Sequence, residues 1–81
     1  MDSLRGKIDA VDTELVALLS KRLRLAHEIL IKKLGQGLPV DDLERESQIL
    51  ERVKKLCSPE EVENIREIFS TIIRTGKKPF V

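Results

Sequence analysis

The chain has 81 residues, 15 Lys plus Arg against 14 Asp plus Glu, and a formal charge of +1. A chain this short makes one small domain that buries only about 60% of its unfolded surface, so association is the expected source of further stability. Balanced charge and only two aromatics, Phe69 and Phe80, supply neither the basic field nor the stacking surface of a nucleic-acid binder.

The single cysteine, Cys57, cannot form an intrachain disulfide, and it reads as a plain residue at a helix end in a reduced compartment. No run approaches the ~18 apolar residues of a membrane span, and the amino terminus lacks the basic-then-apolar order of a signal peptide. These features predict a cytoplasmic protein with no membrane partner. A charged fraction of 36% combined with regular apolar periodicity predicts an all-α fold rather than disorder.

A first helix is expected from about Ser3 to Leu34, with Asp2 or Ser3 as its cap and Gly35 as its stop. Apolar residues recur at Leu4, Ile8, Val11, Leu15, Leu18, Leu25 and Ile29, alternating steps of four and three that draw one stripe along a helix. Arg22 stands in that stripe where the repeat calls for an apolar residue. A guanidinium on a packing face costs several kcal/mol, roughly, unless an anion compensates it, so Arg22 is either a buried ion-pair partner or part of an anion site. Lys33 follows eleven residues later, three turns and about 20° around, and projects from nearly the same face. Two cations are therefore expected along one groove.

After a loop through Gly35, Gly37 and Pro39, Asp41 with Glu44 resembles a capping box that opens a second helix, ending near Leu56. Its stripe, Leu43, Glu46, Leu50 and Val53, also contains one charge, Glu46. Asp42, Arg45 and Glu46 lie within about one turn, so side chains of both signs converge at the start of this helix. Ser58, Pro59 and Glu61 give a serine cap, a proline at the first helical position and a capping glutamate for a third helix, which is expected to run to Thr75 with Gly76 as its stop. Pro79 should prevent its continuation.

At 1.5 Å per residue the first helix is roughly 45 Å long and the other two about 25 Å each, so two short helices cannot cover one long one. The uncovered stripe at Leu4, Ile8, Val11 and Leu15 predicts an intertwined helical homodimer, built from a single domain over residues 1–81. Arg5 lies about 25 Å from Arg22 along the helix and cannot share its site within one chain. In an antiparallel dimer it could enter the partner's pocket.

His27 has no serine, cysteine or second ligand at a suitable helical spacing, so neither a triad nor a metal site is indicated, and it reads as a boundary residue. Gly35, Gln36 and Gly37 match no phosphate-binding loop. A cationic pocket without nucleophile or metal suits a small polyanion whose chemistry needs only positioning and electrostatics.

Several motifs together resemble the all-helical chorismate mutase family, over nearly the whole chain. They are Leu-Arg-x-Lys-Ile-Asp-x-x-Asp at Leu4 to Asp12, Leu-Leu-x-x-Arg at Leu18 to Arg22, Lys33, Pro39-Val40-x-Asp42-x-x-Arg45-Glu46, and Ile-Phe-x-x-Ile-Ile at Ile68 to Ile73. The resemblance implies rearrangement of chorismate to prephenate in aromatic amino acid biosynthesis, with no cofactor. It also implies that Arg22 and the partner's Arg5 hold the two substrate carboxylates, and that Lys33 faces the ether oxygen where charge develops. Arg45 would orient a carboxylate, Glu46 would accept the ring hydroxyl's hydrogen bond, and Asp42 would contribute to hydroxyl recognition.

The resemblance fails at the carboxy terminus. There the family's third helix supplies a glutamine or glutamate to the ether oxygen, whereas this chain has Phe80, with Gly76 one turn earlier. Losing one donor to a developing oxyanion costs on the order of 10²–10³ in rate, which lowers the expected activity unless Thr75, Lys77 or Lys78 replaces it or the chain is a piece of a longer protein. Two other readings use the same pocket: an isochorismate pyruvate lyase, and a non-catalytic domain that binds a metabolite or a partner enzyme. The Arg45–Glu46 pair favours the mutase over the lyase, and the missing donor favours the binding domain.

Overall fold

A computed structural model describes residues 1–78 as three α-helices and one short 3-10 turn, with no strand among them. The long helix α1 spans Asp2–Gly35, α2 spans Leu43–Leu56, and α3 spans Val62–Gly76 behind a 3-10 turn at Pro59–Glu61. The all-α class and the long, short, medium order agree with the sequence. Pro79 and Phe80, on which the ending of the third helix and the missing donor were argued, lie outside the described residues.

The helix boundaries carry several corrections. α1 begins behind Met1 with no side-chain cap, so neither Asp2 nor Ser3 caps it. Its exit is a Schellman motif centred on Gly37, not a stop at Gly35. Gly37 takes φ 69°, its N–H donates to the Leu34 carbonyl at 3.2 Å, and the Leu38 N–H donates to the Lys33 carbonyl at 2.8 Å. Two orphan carbonyls are satisfied this way, and the chain turns back along α1 so that Val40 reaches the Lys33 side chain.

The second helix is capped one residue later than the spacing suggested. Asp42, not Asp41, accepts the Arg45 N–H at 3.0 Å, and Glu46 reaches back to the Asp42 N–H at 3.4 Å. Ser58 makes no capping bond to backbone, and its hydroxyl instead donates to the Glu61 carboxylate. Gly76 is not a stop either, since it sits inside the last turn of α3 and is buried. A Cβ there would lie 3.3 Å from the Ala26 Cβ and 3.5 Å from Arg22 Nη1, so glycine is what allows α3 to approach α1. Cys57 is the half-buried C-cap of α2, as its place in the sequence suggested.

The core is thin: Leu30, Val53 and Ile73 are its buried apolar side chains, one from each helix. α3 packs on both of the other helices. The face that α1 turns toward them carries Leu19, Leu23, Ala26, Leu30 and Lys33, all at least half-buried. The stripe read from the sequence is a second, neighbouring face that this chain leaves open: Val11 is 60% exposed and Leu18 66%. Leu43, assigned to the stripe of α2, is also exposed, whereas Ile49 and Leu50 beyond it are half-buried.

Every residue from Met1 to Leu18 is exposed. The surface totals 6891 Å², against roughly 4,900 Å² for a compact 9.2 kDa protein, and the radius of gyration is 15.2 Å against about 12 Å. The molecule is therefore an extended rod, 51 Å long, with a small bundle at one end. No helix among the described residues is long and apolar enough to cross a membrane.

Candidate active site

A cleft of about 250 Å³ opens where the carboxy-terminal half of α1, the loop before α2, the first turns of α2 and the end of α3 meet. Its apolar wall includes Ala26, Ile29, Leu30, Val40, Ile49 and Ile73. Arg22, Lys33, Asp42, Arg45, Glu46 and Lys77 supply its charge. Four cations against two acids leave a formal excess of two positive charges, a field suited to a dianion.

The rigid spacing of α1 explains the first two cations. Arg22 and Lys33 are both half-buried on the inner side of the helix and face the same cleft. Lys33 is steadied by the turned-back loop, since its ammonium donates to the Val40 carbonyl at 3.3 Å. Arg22 lies at the edge between the packed face and the open stripe, which explains why it interrupts the apolar repeat.

The start of α2 supplies Asp42, Arg45 and Glu46 within one turn. Capping fixes the two acids: Asp42 holds the Arg45 N–H, and Glu46 Oε2 holds the Asp42 N–H. Five of the six residues anticipated from the sequence thus line one cleft. Arg5 does not, because it sits on the exposed amino-terminal part of α1.

Lys77, named from the sequence only as one of three candidates to replace the missing donor, also lines the cleft. Its ammonium donates to Asp41 Oδ1 at 2.8 Å and to Glu46 Oε2 at 3.1 Å. Of the other residues named as substitutes for the missing donor, the Thr75 hydroxyl donates to the Ile72 carbonyl at 3.0 Å and Lys78 is exposed. What sets Lys77 apart from the other two is that it directly follows Gly76, which carries the chain close to α1.

The Lys77 hydrogen bond and its positive charge hold the Asp41 carboxyl below its ordinary 3.8, against an opposing effect of burial and with the smallest contribution from Lys33. Hydrogen bonds to Asp41 and Glu46 raise the Lys77 ammonium above its ordinary 10.5. A depressed acid adds stability above its unfolded pKa and loses it as pH falls through the folded value; a raised base adds stability below its unfolded pKa and loses it as pH rises through the folded value. The link is therefore intact at neutral pH and lost in strong acid and strong base. Thermal unfolding of Asp41→Asn beside the parent protein should show a constant difference through neutral pH that closes below about pH 3.8. A difference that changes near neutrality would mean the Lys77–Asp41 contact is not its source.

The model of the family described as chorismate mutase type II matches residues 4–78. The chain belongs to this family. A chorismate mutase from Methanocaldococcus jannaschii is 38% identical over 76 residues, covering 91% of this chain and 77% of that protein. A bifunctional chorismate mutase/prephenate dehydratase from Escherichia coli K12 is 47% identical over 51 residues, which are 63% of this chain but only 13% of that protein. Among solved structures, a conserved hypothetical protein from Pyrococcus furiosus superposes with a TM-score of 0.75 at 35% identity, covering 91% of this chain and 86% of that one. In this chorismate mutase type II domain, Arg22, Lys33, Asp42, Arg45 and Glu46 face one space.

Proposed function

We propose that this chain is a chorismate mutase domain over its whole length, a cytoplasmic enzyme that rearranges chorismate to prephenate as a homodimer. The observation that carries the reading is the charge pattern of the cleft: Arg22, Lys33 and Arg45 surround apolar walls, with Glu46 as a hydrogen-bond acceptor. The reaction is intramolecular. The ether carbon–oxygen bond breaks as a carbon–carbon bond forms, and no atom enters or leaves.

Arg22 and Arg45 bind and orient carboxylate, fixing the compact conformer in which the reacting carbons meet. Lys33 faces the ether oxygen, where negative charge grows only as the bond breaks, so its ammonium stabilises the transition state more than the ground state. Glu46 accepts the ring hydroxyl, and Asp42 supports it through its backbone N–H. No step requires a cofactor.

The dimer reading rests on the open face of α1 and on the cleft itself. An apolar stripe from Leu4 to Ile29, broken only at Arg22, is far more exposed hydrophobic surface than a soluble monomer usually shows. At about 250 Å³ the cleft is smaller than the ~300–1,000 Å³ of most small-ligand sites, and it is open to solvent. A second copy lying antiparallel along the stripe would bring the partner's Arg5 to close it and to hold the second carboxylate.

Incubation with chorismate, followed by absorbance and chromatography, tests the chemistry. Prephenate is expected, formed well above the spontaneous rate. Pyruvate with an aromatic acid would identify a lyase, and intact chorismate would leave a binding domain. Mixing Arg5→Ala with Lys33→Ala protein tests the shared site separately. If Arg5 acts across the interface, each mixed dimer regains one complete site, and activity returns in a mixture of two inactive proteins. If it acts within its own chain, both sites stay broken and the mixture stays inactive.

A further inference from the structure

Lys77 belongs to no motif of the family resemblance, yet it makes the longest-range polar links described in the fold, to residues 31 and 36 positions away. Its place has a structural cause. Gly76 lets the last turn of α3 approach α1 so closely that a Cβ there would crowd Ala26, and the next residue then lines the cleft beside the start of α2. The inner half of the link is sheltered: the Glu46 side chain is 23% exposed and that of Lys77 30%, whereas Asp41 is 71% exposed.

Both bonds recorded on Glu46, from the Lys77 ammonium and the Asp42 N–H, fall on Oε2. Among the described residues Oε1 receives no donor, and it is the oxygen left for an incoming hydroxyl. We propose that Lys77 is the positioning residue for Glu46: by clamping Oε2 it presents Oε1 to the substrate's hydroxyl and offsets a carboxylate charge that would otherwise oppose a dianion. This deepens the assignment of the cleft as a chorismate site and rests on it. Lys77 acts through Glu46 and touches no reacting atom.

The experiment is steady-state kinetics with chorismate on the parent protein, Lys77→Met, Lys77→Arg, Glu46→Gln and the Glu46→Gln/Lys77→Met double variant. A partly exposed charge pair is worth up to about 1 kcal/mol, so Lys77→Met should lower kcat/KM about fivefold, chiefly by raising KM. Lys77→Arg, which can still span both carboxylates, should recover most of the loss. Adding Lys77→Met to Glu46→Gln should cost nothing further, because the clamped charge is already gone. Asp41→Asn, which removes only the outer carboxylate, should show a smaller loss in the same direction and serves if Lys77→Met fails to fold.

An equal loss in the Glu46→Gln background would show Lys77 acting independently of Glu46, and unchanged kinetics in both Lys77→Met and Asp41→Asn would show it to be a surface link. Either result overturns the proposal while leaving the mutase reading intact. A parent protein that forms no prephenate overturns both.

Discussion

Lys33→Ala is expected to lower kcat by about 10²–10³ while leaving the helical fold and KM close to those of the parent protein. Lys33 is half-buried, stands three turns beyond Arg22 on the inner side of α1, and is held toward the cleft by the Val40 carbonyl. Truncation frees a carbonyl at the mouth of an open cleft, where water can replace the ammonium, so the cost to stability is small. On the proposed mechanism the cost to the reaction is large, because charge on the ether oxygen then develops without its principal counter-charge. Lys33→Arg should not restore full rate, since a planar fork does not present its donors where a compact ammonium does. Stopped-assay rates and circular dichroism on the same samples decide the matter. A loss below tenfold would remove Lys33 from its place opposite the breaking bond.

If the proposed homodimer pairs through the open stripe of α1, Val11→Asp is expected to leave the protein monomeric and to abolish most activity. Val11 is 60% exposed in the single chain, within the stretch from Met1 to Leu18 in which every residue is exposed. Facing water, an aspartate there would be harmless or would improve solubility. Facing a second copy, it buries a charge once in each half of a symmetric contact, at several kcal/mol each, roughly. Sedimentation should then report the mass of one chain. The helix signal should fall as well, because the free amino-terminal turns of α1 depend on packing for stability. Unchanged mass, melting temperature and rate would mean that the stripe is not an interface.

Where the sequence was informative, the reason is the rigidity of the helix. Arg22 and Lys33 share a face because eleven residues close three turns, and Asp42, Arg45 and Glu46 converge because three and four residues close one. Features that depend on how helices meet were not legible. Gly76 looked like a stop because glycine serves equally as a terminator and as a point of close approach, and only the crowding that an added Cβ would meet, 3.3 Å from the Ala26 Cβ, separates the two uses.

The sequence offered Lys77 only beside Thr75 and Lys78 as a replacement donor, and its link to Glu46 and Asp41 was not legible for the same reason, since they lie 31 and 36 residues away. Adjacent aspartates at 41 and 42 hid the register of the cap, and two glycines at 35 and 37 hid which of them turns the chain. Periodicity also found one stripe on α1 where there are two. The open stripe is the more regular, while the packed face is interrupted by Ala26 and Lys33, small and charged residues chosen for the cleft and for α3.

The start of α2 limits how this cleft can change in evolution. Asp42 and Glu46 are at once walls of the cleft and the groups that satisfy the first N–H donors of a 14-residue helix. Replacing either to admit a different ligand forfeits a cap worth about 1 kcal/mol, a substantial loss for a bundle whose described residues include three buried apolar side chains. New ligand preferences are more readily reached through Val40 or Ile49, apolar walls with no capping duty, so the acidic corner should persist while the apolar wall diversifies.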